Sequence, residues 1–110
     1  MTVHELEVSV RTEGGGAVVA LAGELNASAA EALDAAYAEA IAGGAGHVVL
    51  DFERADYINS TGIALIVGLL AQARAQALEV RARGLSDHYR EIFEITRLSD
   101  FMTIEGKEHA

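Results

Sequence analysis

The chain has 110 residues, half of them apolar, no cysteine and a formal net charge of −9. This length predicts one domain spanning residues 1–110. The acidic balance and the absence of a Lys/Arg cluster argue against a nucleic-acid binder, and the lack of cysteine excludes disulfides and thiolate metal sites. The longest apolar stretch, residues 63–71, is about half of what a membrane-spanning helix requires, and the N-terminus has no secretory pattern. We expect a cytoplasmic protein without direct membrane insertion.

The first quarter of the chain predicts a β-hairpin. Leu6, Val8 and Val10 alternate with polar residues, which is the period-two pattern of a half-exposed strand. Residues 12–16, Thr-Glu-Gly-Gly-Gly, predict a turn, and residues 17–22 predict the second arm, which Gly23 closes.

A helix and a buried strand are expected next. Residues 26–42 place Leu33, Tyr37 and Ile41 at helical spacing, and Ser28 with Glu31 has the form of a capping box. The glycine-rich residues 43–46 suit a left-handed helix end and a short loop. Residues 48–52, Val-Val-Leu-Asp-Phe, form a nearly continuous apolar run, which predicts a central strand covered on both faces.

The most informative segment joins this strand, through a short connection, to an apolar helix. Ser60 lies at the junction, where its hydroxyl can cap the helix, and a phosphate there would meet free backbone N–H groups. The helix, residues 61–76, places Ile63, Ile66, Val67 and Leu70 on one face, which is expected to be the core face. Leu65 and Leu69 lie on the opposite face, beside two glutamines. They form either a seam with a neighbouring helix or a partly exposed docking stripe; docking is favoured because the stripe starts next to Ser60.

The remaining elements complete an α/β fold. Leu78, Val80 and Ala82 alternate as a strand, and Ser86 is expected to cap a helix whose apolar face is Tyr89, Ile92, Phe93 and Thr96. A short tail follows at residues 101–104. Helices between successive strands require parallel pairing and right-handed connections. The sequence therefore predicts a mixed four- to five-stranded sheet with helices packed on it.

The order of these motifs resembles the STAS domain of anti-sigma factor antagonists. The resemblance rests on Gly23-Glu24-Leu25-Asn26, on Leu50-Asp51, on Asn59-Ser60-Thr61-Gly62-Ile63, and on residues 92–98 followed by Phe101. It covers nearly the whole chain. It implies a single STAS-like domain in which the loop with Ser60 lies beside the loop with Asn26.

The resemblance also implies partner switching. The unmodified protein would capture an anti-sigma factor that is itself a serine kinase, and phosphorylation of Ser60 would end that capture. The partner would bind the ATP, so this chain would need no cofactor. The expected partner-binding residues are Asn26, Asn59, Thr61, Gly62, Leu65 and Leu69.

The sequence departs from the family pattern at two positions. Asn59 and Asn26 stand where Asp is common, and both changes remove a negative charge near Ser60. Either the asparagines are helix or turn caps that serve as well as Asp, or they reduce repulsion against a phosphate while depriving a kinase of orienting carboxylates.

Catalysis is not indicated. The four histidines, His4, His47, His88 and His109, are far apart and are expected at the surface, without metal-ligand spacing. Ser60 lacks a nucleophile-elbow motif, because Ile58 stands two residues before it. We expect no catalytic residue and no metal site. Three alternatives remain: a component docking on a lipid-transporting ABC ATPase, a subunit of a stress-signalling complex, and a ligand-binding domain using the cleft between the Asn26 and Ser60 loops.

Overall fold

A computed structural model describes residues 5–105. In chain order its strands are β1 (Glu7–Glu13), β2 (Gly16–Leu25), β3 (His47–Ile58), β4 (Glu79–Arg83) and β5 (Thr103–Ile104). The helices are α1 (Ala30–Ala42), α2 (Ser60–Ala75) and α3 (Asp87–Ile95), with short 3-10 turns at Ala27–Ala29 and Leu98–Asp100. The predicted α/β fold is confirmed, and the tail at residues 101–104 supplies the fifth strand.

The five strands form one sheet in the order β1-β2-β3-β4-β5. β1 runs antiparallel to β2, and the other neighbours are parallel. Each helical connection steps in the same direction along the sheet, so right-handed crossovers place the helices on one face. Alternate residues of β2, β3 and β4 accordingly share one core with Leu33, Ile66 and Phe93 of the three helices. The predicted central position of β3 is confirmed.

The prediction that β3 is covered on both faces is confirmed at its start, although its second face is the helix-free side of the sheet. Val49 is nevertheless only 3% exposed there. It pairs in register with Val18 and Arg81, and Val18 pairs in turn with Arg11. Long arginine stems can cover apolar surface while their charged ends stay in water, so these two arginines flank the valine pair.

An ion pair crosses the helix-free face from β1 to β4. Arg83 Nη2 lies 3.0 Å from Glu13 Oε1, although three strand spacings of about 4.8 Å separate the two strands. The two long side chains therefore reach toward each other across the intervening strands β2 and β3. The guanidinium of Arg83 lowers the pKa of the Glu13 carboxyl below its ordinary value, chiefly through their hydrogen bond.

The hairpin turn is shorter than predicted. Glu13 pairs with Gly16, which leaves only Gly14 and Gly15 in the loop, with φ of 58° and 83°. Two successive residues of positive φ make the type I′ turn that suits the twist of a two-residue hairpin. The three consecutive glycines correctly indicated a turn, whereas the length of the turn follows from the pairing of Glu13 with Gly16.

β3 is longer than predicted and contains two bulges. Residues 53–58, expected as a connection, continue the strand along β2 to the pair Leu25–Ile58. β2 advances five residues from Ala20 to Leu25, while β3 advances seven from Asp51 to Ile58, so β3 carries two extra residues. β4 pairs with β3 only as far as Asp51. Beyond Asp51, β3 has no strand partner on its β4 side within residues 5–105. The exposed charged residues of this part of the strand are the ones that suggested a loop.

α2 packs differently from the predicted pattern. Leu69 is only 5% exposed, whereas Val67, which was expected in the core, is 47% exposed. The reason is α1, which lies along the side of α2 that carries Gln72 and Gln76; the hydroxyl of Tyr37 donates to Gln76 Oε1 over 2.6 Å. The docking interpretation is therefore wrong for Leu69, which belongs to a seam with α1. Leu65, one turn earlier, is half-buried against the same core.

The predicted cap of α3 is confirmed. Ser86 caps α3 by accepting a hydrogen bond from the backbone N–H of Tyr89, 3.2 Å away. The rings of Phe93 and of Phe52 in β3 pack at nearly a right angle, with a centroid distance of 5.7 Å. Within residues 5–105, no helix is both long and apolar enough to cross a membrane.

We expect Leu69→Ala to lower the free energy of unfolding by about 2–5 kcal/mol, because it removes a buried side chain and leaves a cavity. Val67→Ala, the matched control on the exposed side of the same helix, should cost less than about 1 kcal/mol. Chemical denaturation of both variants measures the difference. Equal losses would contradict the packing of α2 described here.

Candidate functional site at the start of helix α2

The candidate site forms where two parallel strands end side by side. Leu25 of β2 pairs with Ile58 of β3, and each is followed by an asparagine, Asn26 or Asn59. The backbone N–H of Asn59 donates to the carbonyl oxygen of Leu25 over 3.2 Å. The loops that carry Asn26 and Ser60 are therefore neighbours, as expected.

Both asparagines are helix caps. Asn59 Oδ1 accepts a hydrogen bond from the backbone N–H of Gly62 at 2.8 Å. Asn26 Oδ1 accepts from the backbone N–H of Ser28 at 3.0 Å and from its hydroxyl at 2.7 Å. Of the two interpretations of these departures from the family pattern, the structure supports the capping role.

These caps correct two sequence predictions. Ser60 does not cap α2 but is its first residue, one position after the cap. Ser28 does not open a capping box; it lies inside the short turn that Asn26 caps, and α1 begins at Ala30. Ser and Asn are both strong N-cap residues, and the end of the β2–β3 pairing selects which of them occupies the cap.

Ser60 is exposed, and its hydroxyl makes no hydrogen bond to any residue between 5 and 105. The backbone N–H groups of Ser60 and Thr61 are the first two of α2 and have no intrahelical acceptor. Thr61 is exposed as well. The arrangement presents a free hydroxyl beside the positive end of a helix, where a phosphate would be electrostatically tolerated.

Gly62 has a steric role that the sequence did not reveal. It is buried, and a Cβ atom built on it would overlap the carbonyl oxygen of Leu25 and lie 2.8 Å from its carbonyl carbon. The first turn of α2 thus rests directly on the end of β2. This packing explains why the position is glycine, whereas its predicted contact with a partner is not tested by the structure.

Tyr89 is a further residue of the site that the sequence analysis assigned only to an apolar helix face. Its hydroxyl oxygen accepts a hydrogen bond from the backbone N–H of Ile58 over 3.0 Å. This N–H lies on the side of β3 that β4 has left, so Tyr89 supplies the missing acceptor. A tyrosine on a buried face is the signal that could have suggested it, since its hydroxyl usually finds a partner.

The histidines and acids of the described part of the chain do not form a metal-binding cluster. No group of three or more His, Asp or Glu residues there is placed to hold a metal ion. His88 is exposed against Tyr89, and the half-buried ring of His47 lies over Gly16. His4 and His109 lie outside the described residues. A cavity of about 380 Å³ opens between β3 and the start of α3, and its lining includes Ile58 and Tyr89 but neither Asn26 nor Ser60.

Comparison with known proteins agrees with this fold. A family model described as "Mlab, STAS domain" matches residues 8–104. The chain belongs to the STAS domain family. Its similarity to curated proteins leads to one functional group within that family, the anti-sigma factor antagonists.

BtrV of Bordetella bronchiseptica, a candidate anti-sigma factor antagonist, is 36% identical over 94 residues, covering 84% of this chain and 81% of BtrV. The anti-sigma-B factor antagonist of Listeria monocytogenes is 37% identical over 59 residues, covering 54% of this chain and 52% of the relative. The Bacillus cell fate determinant SpoIIAA in its phosphorylated form superposes with a TM-score of 0.68 at 25% identity, covering 92% of this chain and 93% of SpoIIAA. These relatives support a general role as an antagonist of an anti-sigma factor.

The cap assignment predicts unequal effects at adjacent residues. Asn59→Ala should lower the free energy of unfolding by about 1 kcal/mol, because the N–H of Gly62 loses its acceptor. Ser60→Ala should change it by no more than about 0.5 kcal/mol, because its hydroxyl has no partner to lose. Urea denaturation of both variants tests this, and a larger loss for Ser60→Ala would return the cap to Ser60.

The role of Gly62 is tested by the same substitution at two glycines of α2. Gly62→Ala should destabilise the protein by about 1–3 kcal/mol, because the added methyl group must displace the backbone of Leu25. Gly68→Ala has open space around the new Cβ, so it should stabilise the helix by about 0.5–1 kcal/mol. Thermal melts that moved in the same direction would contradict the close approach of α2 to β2.

Proposed function

We propose that this protein is an anti-sigma factor antagonist that captures an anti-sigma factor and is released when Ser60 is phosphorylated. The observation that carries the proposal is the separation of roles at the start of α2. Asn59 makes the capping hydrogen bond, and Ser60 presents an exposed hydroxyl without a partner among residues 5–105. The hydroxyl is therefore available to a kinase without loss of a structural contact.

The physical basis of release is desolvation. A phosphoserine carries close to two negative charges and three strongly hydrated oxygens. Burying it in an interface without a compensating Arg would weaken the complex, whereas in the free protein the helix end tolerates it. Both neighbouring caps are neutral amides, so neither adds repulsion to that phosphate.

The proposed partner is both anti-sigma factor and serine kinase, and it binds the ATP. The surface formed by Asn26, Asn59, Thr61 and the exposed part of Leu65 is the proposed contact, with Gly62 setting the position of α2 beneath it. On this proposal the protein is a binding component rather than an enzyme, needs no cofactor and acts in the cytoplasm.

Incubation of the protein with its kinase partner and ATP, followed by mass spectrometry of peptides, should find the phosphate on Ser60. Thr61 is the neighbouring hydroxyl and provides the internal comparison. Phosphate found only on another residue would refute the assignment of the site.

Two substitutions at Ser60 separate charge from shape. Ser60→Asp should weaken capture of the anti-sigma factor, because it places a negative charge in the interface, and Ser60→Ala should preserve it. Both variants should keep the fold, since a carboxylate in the first turn of a helix contributes about 0.3–1 kcal/mol of stabilisation. Titration calorimetry measures the affinity; loss of binding by a folded Ser60→Ala protein would contradict the switch.

The identity of the partner distinguishes the proposal from its alternative. Affinity capture from the native cell should recover an ATP-binding kinase of the anti-sigma type. Recovery of a transporter ATPase would instead support the role in lipid transport, and the same Ser60 variants would show whether that contact uses the start of α2.

A further inference from the structure

A second surface lies along residues 67–74 of α2, away from Ser60 at the start of the helix. There the helix and the turn after α3 enclose an apolar groove of about 270 Å³, whose lining includes Val67, Leu70, Leu98 and Phe101. Val67 is 47% exposed and Phe101 is 52% exposed. Large apolar side chains clustered at an open groove mark an interaction surface more often than scattered single ones do.

A cation borders this groove. The guanidinium of Arg74 lies over the Phe101 ring, 5.4 Å from its centroid. Among the described residues, no carboxylate lies within 4 Å of it, whereas Arg11, Arg81, Arg83 and Arg97 each pair with an acid. The groove therefore combines an apolar floor with a positive charge that has no acidic partner in residues 5–105.

The complementary chemistry is found on the adjacent outer face of α3. Ile95 is 71% exposed, the most exposed large apolar side chain between residues 5 and 105. Glu91 and Glu94 lie four residues and one residue before it on the exposed side of the helix, and neither forms an ion pair with a described residue. Residues four apart share one helix face, so Ile95 is an apolar side chain bordered by acids.

We propose that the occupant of the groove is a second copy of this chain. Ile95 of each copy would enter the groove of the other, and Glu94 or Glu91 would meet Arg74. A two-fold interface requires that one patch contain both halves of the contact, and Ile95 directly precedes Thr96, which lines the groove. In such a dimer each copy would offer an apolar side chain and acids to its partner, and each would receive the same groups in its own groove beside Arg74.

The geometry leaves the candidate phosphorylation site accessible. Ser60 and Val67, the lining residue nearest to it along α2, are seven residues apart, which corresponds to about 10 Å along the helix. Dimerisation through the groove would therefore present two Ser60 hydroxyls outside the interface. The inference does not depend on the proposed function, because it concerns the chain alone.

Sedimentation velocity of the purified protein tests the proposal, at 0.15 M salt, where a screening length of about 8 Å reduces repulsion between the acidic chains. The apparent mass should rise from one chain to two as the concentration increases through the range from about 1 µM to about 1 mM. A single-chain mass throughout this range would overturn the inference.

Three variants locate the interface. Ile95→Ser should raise the dissociation constant at least about tenfold. Tyr57→Ser removes another large exposed side chain, 51% exposed and outside the groove, and should leave the dissociation constant unchanged. Arg74→Glu should also weaken the dimer, and combining it with Glu91→Arg and Glu94→Arg should restore it. Circular dichroism confirms folding of each variant. A dimer unaffected by Ile95→Ser, or one not restored by the charge exchange, would refute the contact.

Discussion

The position of the candidate site depends on the close approach between α2 and the end of β2. The carbonyl oxygen of Leu25 accepts a hydrogen bond from the backbone N–H of Asn59, and the same carbonyl group packs against Gly62. One carbonyl group therefore contacts both the residue before the helix and the first turn of the helix. A side chain at position 62 would separate these elements. Because Asn59 and Ser60 lie between the two contacts, their placement follows from that packing and not from the flexibility usual in a loop.

This packing also makes modification of Ser60 compatible with a stable fold. The cap and the steric contact belong to Asn59 and Gly62, on either side of an exposed dipeptide. A group added to the Ser60 hydroxyl therefore changes the charge of the surface without removing a hydrogen bond from the protein. At the start of this helix the structural contacts lie at Asn59 and Gly62, and the two exposed hydroxyl side chains lie between them.

The sequence predicted what is local and missed what depends on neighbouring elements. The hairpin glycines, the Ser86 cap and the order of strands and helices follow from turn chemistry and periodicity. The helix cap did not, because choosing Asn59 over Ser60 requires knowing that β3 continues to Ile58. The faces of α2 were also partly misassigned, because this helix carries apolar residues on every side. Packing of the neighbouring α1 determines that Leu69 is buried, whereas Val67 is exposed.

The two bulges of β3 have a consequence for how the chain can change in length. Leu50 and Phe52 face the helices, Ala55 does so between the bulges, and Ile58 does so after them, so the side-chain alternation reverses and is then restored. Loss of one residue between Asp51 and Ile58 would leave the alternation reversed and move the Ile58 side chain from the core to the helix-free face of the sheet. In homologous chains, this exposed segment should therefore vary in length by pairs of residues, whereas the glycine loop after α1 can vary by one.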